Sequence, residues 1–163
     1  MNFFEPACQE PTSDESKFGL CDDQDGSKAY TNIDDSTKWI ATVKNDRKKI
    51  LTFTAIDKCV LNDDEEPGRG RCDGMLTSDS NEHIYFVELK DEAKGWRTEA
   101  IKQLESTVQF FIEHHDINVF KHKKAFACNK KHKHFLQIDH ELNLRFFRAY
   151  GVRIDVQARM III

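Results

Sequence analysis

Residues 72–90 read CDGMLTSDSNEHIYFVELK, two candidate strands around the polar turn Ser78-Asp79-Ser80-Asn81. Side chains alternate along a strand, so Ile84, Phe86, Glu88 and Lys90 share one face and Tyr85, Val87 and Leu89 the other. The first half of this second strand is apolar on both faces, as expected of a central strand covered on both sides. Glu88 and Lys90 then emerge at its C-terminal end, where open α/β sheets place ligand crevices. Pairing through the turn sets Asp73, on the preceding strand beside Gly74, opposite the Glu88 end. Two carboxylates and one ammonium converge there.

The flanking sequence supplies the rest of a sheet and its helices. WIATV (39–43) and ILTFTAI (50–56) are β-branched and aromatic and flank Asn45-Asp46-Arg47-Lys48, which predicts a hairpin. NDDEEPGRGR (62–71) is loop by composition. Over about 94–114, Ala100, Ile101, Leu104, Val108, Phe111 and Ile112 recur at spacings of three and four, the pattern of an amphipathic helix. Lys123–Cys128 reads as a strand. A second helix is expected over 138–149, with Asp139 near its start, Leu142, Phe146 and Phe147 on its apolar side and Gly151 just past its end. Residues 152–163 finish with strand alternation. The order ββββ–α–β–α–β predicts a sheet with helices packed against it.

The chain has 163 residues, 39% of them hydrophobic and 32% charged, enough for one domain with a buried core. Residues 1–36 are polar and acidic, with Pro6, Pro11, Gly19 and Gly26. They predict a loosely ordered arm, with at most a short helix at 13–20, ahead of a single domain at 37–163. No apolar run approaches the roughly 20 residues of a membrane helix. The N-terminus lacks the basic start and apolar stretch of a signal peptide. Five cysteines with no CxxC pair predict reduced thiols and a cytoplasmic location. The net charge of −4 divides unevenly: residues 1–66 hold 8 Lys/Arg against 15 Asp/Glu, and residues 67–163 hold 16 against 13.

Asp73 and Glu88, with the backbone carbonyl of Leu89, form a hard oxygen set suited to Mg²⁺ or Mn²⁺. A metal so held polarises a phosphoryl group and acidifies a bound water, and Lys90 is placed to orient that water or to stabilise charge developing on the phosphate. The bland alternative is a partly exposed salt-bridge cluster worth at most about 1 kcal/mol.

With an Asp on one strand, Glu-x-Lys on the next and a helix following, the chain resembles the PD-(D/E)XK nuclease superfamily. The matching residues are Asp73, Glu88 and Lys90, with 14 residues between the two acids. Cys72 stands where the family has proline. Gln103 falls where some members carry a site-organising Gln, and Thr107 stands where the helicase-associated members have a Tyr. Glu15 is a candidate for the acid that many members carry on an early helix. The resemblance covers about residues 38–130. It implies a restriction-endonuclease-like α/β/α core, a central mixed β-sheet flanked by helices, and Mg²⁺- or Mn²⁺-dependent cleavage of nucleic acid, with DNA the expected substrate. It also implies action as a homodimer or as one part of a multiprotein system. The superfamily includes members that have lost catalysis, so a binding or protein-interaction module is the alternative function.

Residues 118–135 hold six lysines and three histidines and no acid. Lys123, Lys124, Lys130, Lys131 and Lys133 are candidate phosphate contacts along one side of the cleft, the alternative being a solvated basic loop. Phe120 or Phe135 is a candidate for stacking on a base, with core packing the default for both. Cys128, His132 and His134 lack a fourth zinc ligand and a standard spacing, which favours a basic loop over a metal site. His114 and His115 are expected to cap the long helix. Arg69 and Arg71 fit either a phosphate contact or ordinary loop solubility.

Overall fold

The turn after Ser78 does close a hairpin. A computed structural model describes residues 1–134 and 140–163 of the chain. In it β5 (Gly74–Ser78) and β6 (His83–Lys90) pair antiparallel, with Gly74 opposite Val87 and Thr77 opposite Ile84. Asn81 takes the left-handed conformation (φ 58°) that the tight turn requires. On the other side of β5 lies β4 (Leu51–Ala55), also antiparallel. The chain then crosses over through α1 (Arg97–His114) to β7 (His122–Asn129), parallel to β6, and through α2 (His140–Tyr150) to β8 (Arg153–Val156), parallel to β7. The five-stranded order is β4-β5-β6-β7-β8.

A second mixed sheet, ordered β2-β1-β3-β9, is built from β1 (Lys17–Cys21), β2 (Tyr30–Asn32), β3 (Ala41–Lys44) and β9 (Arg159–Ile161). The architecture is therefore α/β with two sheets and two helices. One face of the five-stranded sheet, carrying Met75, Ile84, Phe86, Ala125 and Ile154, packs on Leu104, Val108 and Phe111 of α1 and Phe146 of α2. The opposite face, carrying Phe53, Leu76, Tyr85, Val87 and Phe126, packs on Phe18, Leu20, Val43 and Met160 of the second sheet. Each such fully buried side chain stabilises the fold by about 1.5–3 kcal/mol.

Several expectations are corrected. Helices cover one face of the central sheet and a β-sheet covers the other, so the layers are not α/β/α. The segments 39–43 and 50–56 do not form a hairpin: β3 and β4 belong to different sheets. Asn45, itself fully buried, makes the corner between them by bonding the carbonyls of Glu15 and Lys49 and the Lys49 N–H. Residues 1–36 are not a loosely ordered arm, and 13–20 is not helical. The segment contributes two strands, and Phe3, Phe18, Leu20 and Cys21 are buried. Cys8 and Cys59 are joined in a disulfide, so the expectation of five reduced thiols does not hold; Cys21, Cys72 and Cys128 are free and buried.

The helices lie where their periodicity places them, but Ile112 of α1 and Phe147 of α2, expected on the apolar faces, are exposed. Ala100, Leu104, Val108 and Phe111 form the buried stripe of α1, and Glu99 in its first turn meets the positive end of the dipole. At the other end His114 Nδ1 lies 3.1 Å from the Phe110 carbonyl and His115 caps the helix, its N–H on the Phe111 carbonyl at 2.8 Å, while its ring accepts the Phe3 N–H at 3.1 Å. Gly151 follows α2 with φ 70°, the left-handed stop that glycine allows. Asp139 lies outside the described residues. Among those described, no helix is long and apolar enough to cross a membrane.

Candidate active site

The β5–β6 register, carried one residue past Gly74, sets Asp73 opposite Glu88. Asp73 N–H donates to the Val87 carbonyl at 3.1 Å, and Leu89 N–H donates to Asp73 Oδ2 at 2.6 Å. By strand alternation both carboxyls project from the helix-covered face, the face of Met75 and Phe86. They are buried, 9% and 2% exposed, and stand opposite each other across the strand pair. Burial pushes Asp73 well above the usual carboxylate range, and the neighbouring Glu88 charge adds to it. Burial raises Glu88 to about 7, against the opposing pull of Asp73 and of Lys90. Lys90 Nζ lies 3.5 Å from Glu88 Oε2.

These groups open into a cleft of about 240 Å³. Gln103 reaches it from α1. Among the described residues its buried Oε1 has no hydrogen-bond donor. Thr107, one turn further along, donates to the Gln103 carbonyl at 2.9 Å and accepts the Cys72 N–H at 2.7 Å. Thr107 thus provides a buried hydroxyl that ties the segment bearing Asp73 to α1. Cys72, fully buried beside the two acids, has its thiol pushed well up by desolvation and stays protonated.

Asp57 and Gln24 are cleft residues that the sequence reading did not name. Asp57 continues the β4–β5 ladder: Ile56 N–H bonds the Asp73 carbonyl and Asp57 N–H the Cys72 carbonyl. Its charge raises Glu88 further. A signal was present, because β4 is followed by Ile-Asp-Lys much as β6 ends in Glu-Leu-Lys. Arg71, read as ambiguous, holds Asp57 at 2.6 Å and also bonds Asp63. Gln24, from the loop between β1 and β2, donates to the Leu89 carbonyl at 3.3 Å. No local pattern could have placed it there.

The basic segment divides. Lys130 N–H bonds the Lys90 carbonyl at 2.9 Å, so Lys130, Lys131 and Lys133 stand at the carboxylate end of the sheet, with Lys131 3.8 Å from Asp91. Lys123 and Lys124 pair with Ile84 and Tyr85 at the opposite end of β7. At about 3.3 Å per residue they are roughly 20 Å away, so the segment does not line one side of a single cleft. Phe120 is a core residue, and Phe135 lies outside the described residues. Arg69 is engaged by Glu113 at 3.2 Å and lies 4.0 Å above the Phe110 ring. Glu15 is exposed and lines a groove away from the cleft.

Two carboxylates and the Leu89 carbonyl form an all-oxygen donor set, and the orphaned Gln103 Oε1 supplies another oxygen at the same cleft. This chemistry fits a hard dication such as Mg²⁺ or Mn²⁺. Among the described residues no group of three or more His, Cys, Asp or Glu side chains is close enough to hold a metal ion. Any metal here therefore rests on two carboxylates plus neutral oxygens. No family model, curated protein or solved structure matches the chain.

Proposed function

We propose that the protein is a metal-dependent nuclease that hydrolyses a phosphodiester bond, with DNA the expected substrate. The observation that carries this reading is the buried Asp73–Glu88 pair at adjoining strand ends, with Lys90 3.5 Å from Glu88 in an open polar cleft. A buried acid pair is destabilised when both members ionise, and a dication between them relieves the repulsion. Further support comes from the strand order. An antiparallel β4-β5-β6 meander, a crossover helix and a parallel β7 follow the element order that the resemblance implies for a restriction-endonuclease-like core.

Asp73, Glu88 and the Leu89 carbonyl would hold Mg²⁺ or Mn²⁺, which supplies Lewis-acid polarisation of the phosphoryl group and a more acidic water. The chain's own residues do the remainder. Lys90 stabilises charge on the phosphate or orients the attacking water. Gln103 presents its free oxygen to the cleft, and Thr107 keeps Cys72 and α1 in register. Lys130, Lys131 and Lys133 are placed to contact phosphates of a bound strand.

A binding or interaction module is the second reading. It is favoured by the closure of the cluster on itself: Glu88 is paired with Lys90, and the Leu89 carbonyl is bonded by Gln24. Thermal unfolding in EDTA, Mg²⁺ and Mn²⁺, paired with plasmid and single-strand cleavage, separates the two. The nuclease reading expects a metal-dependent rise in melting temperature that Glu88→Ala abolishes, together with metal-dependent cleavage. Neither shift nor cleavage in the wild type leaves a nuclease-like shell used for binding.

A further inference from the structure

A second cavity, of about 470 Å³, lies at the other end of the central sheet, where the N-terminal ends of β7 and β8 meet the last turn of α2. Its lining brings together Lys121, His122, Lys123, Lys124, Arg153 and the ring of Phe147. No Asp or Glu side chain is among its lining residues. Among the described residues none of the four Lys and Arg side chains has a carboxylate partner, although the chain as a whole is acidic and forms ion pairs elsewhere. Lys123 Nζ lies 3.3 Å from the Phe120 carbonyl, and Lys124 Nζ lies 5.8 Å from the Tyr85 ring centroid. The guanidinium of Arg153 lies 5.2 Å from the Phe147 centroid, and Phe147 is 43% exposed.

Cations gathered at one concavity repel one another, and the C-terminal end of α2 offsets only about half an elementary charge. The Ile163 carbonyl oxygen, at the rim, is engaged by the His83 ring. Gly151, in the lining, has φ 70°, a backbone conformation that disfavours any side chain. Convergent ammonium and guanidinium groups recognise phosphate oxygens. An exposed aromatic ring stacked with an arginine is a platform for a base. The volume is within the range that small-ligand pockets occupy, about 300–1,000 Å³.

We infer that this cavity is a nucleotide-phosphate site, separate from the carboxylate cleft, in which Lys123 and Arg153 hold phosphate and the Phe147–Arg153 stack takes the base. The site stands whether or not the cleft hydrolyses anything. It assigns to Lys123 a role away from the cleft.

The test is fluorescence anisotropy and calorimetry on the full chain in EDTA, so that no metal bridges ligand to the cleft. The probes are ATP, 5′-phosphorylated oligothymidine, its 5′-hydroxyl counterpart and inorganic phosphate. Binding is expected to weaken with added salt and to fall by about tenfold or more in Lys123→Gln/Arg153→Gln. It should fall again in Phe147→Ala and be unchanged in Glu88→Gln, with circular dichroism confirming that each variant folds. ATP binding identifies a free nucleotide as the ligand, and preference for the 5′-phosphorylated strand over the 5′-hydroxyl one identifies a strand end. Inorganic phosphate binding as tightly as either nucleotide would remove the base platform. No binding by any probe, or binding indifferent to the Lys123 and Arg153 changes, would overturn the site.

Discussion

Glu88 is 2% exposed, beside a second buried acid, and this placement costs stability once both groups ionise. Its pKa in the folded chain is raised to about 7 from 4.5, and Asp73 is raised in the same direction. The native state therefore holds protons that the unfolded chain has already lost. The contribution is fully present below about pH 4.5 and is lost as pH rises through about 7. In EDTA the melting temperature of the wild type should fall between pH 5 and pH 8. Glu88→Gln, which has no charge to lose at that position, should show a flatter profile and exceed the wild type at the upper end. Equal slopes for the two proteins would mean that the pair is already ionised and compensated. Glu88 and Lys90 were legible from strand alternation alone, whereas Gln103 came from the family resemblance. Asp57 has a local signal in the Ile-Asp-Lys that follows β4, but Gln24 reaches the cleft through a long-range loop contact, which single-chain spacing does not encode.

At the scale of elements, long periodic segments were readable and short ones were not. The buried stripe of α1 spans several turns, so no other structure accommodates it, and β6 is marked by apolar residues on both faces. By contrast Ala41–Lys44 and Leu51–Ala55 have the same strand chemistry whether they pair with each other or part into two sheets. The polar residues between them, Asn45 to Lys48, suit a hairpin and a corner alike. What separates the two outcomes is the burial of Asn45, whose amide bonds the Glu15 and Lys49 carbonyls at 3.2 and 2.8 Å while its oxygen takes the Lys49 N–H at 2.9 Å. Asn45→Ala removes all three and leaves buried backbone groups unpaired, so urea unfolding should show a loss of roughly 1–3 kcal/mol. Asp at this position keeps the acceptor but not the donors, and should recover only part. Gly19 misled in the same way. It reads as a loop residue, yet it lies within β1 because a Cβ there would collide with the Trp39 ring, at 1.9 Å from Cγ.

Across the whole molecule, the segment read as an acidic arm is structural. Its two strands help complete the sheet that covers one face of the five-stranded sheet, and its loop carries Gln24 to the cleft. Composition hid this, because strands of five and three residues leave too short a period to outweigh surrounding Asp, Pro and Gly. The Cys8–Cys59 disulfide adds a covalent tie across 51 positions, joining the arm to the turn just beyond Asp57. Closing a loop of that length restricts the unfolded chain far more than the folded one, which already holds Cys8 in place by burial. Reduction should therefore lower the free energy of unfolding in urea by about 2–4 kcal/mol, and Cys8→Ser should match the reduced wild type and respond no further to reductant. A wild-type midpoint that ignores reductant would mean that the two thiols are not joined in the protein. Strand pairing and the burial of Phe3, Phe18 and Leu20 would then hold the arm unaided.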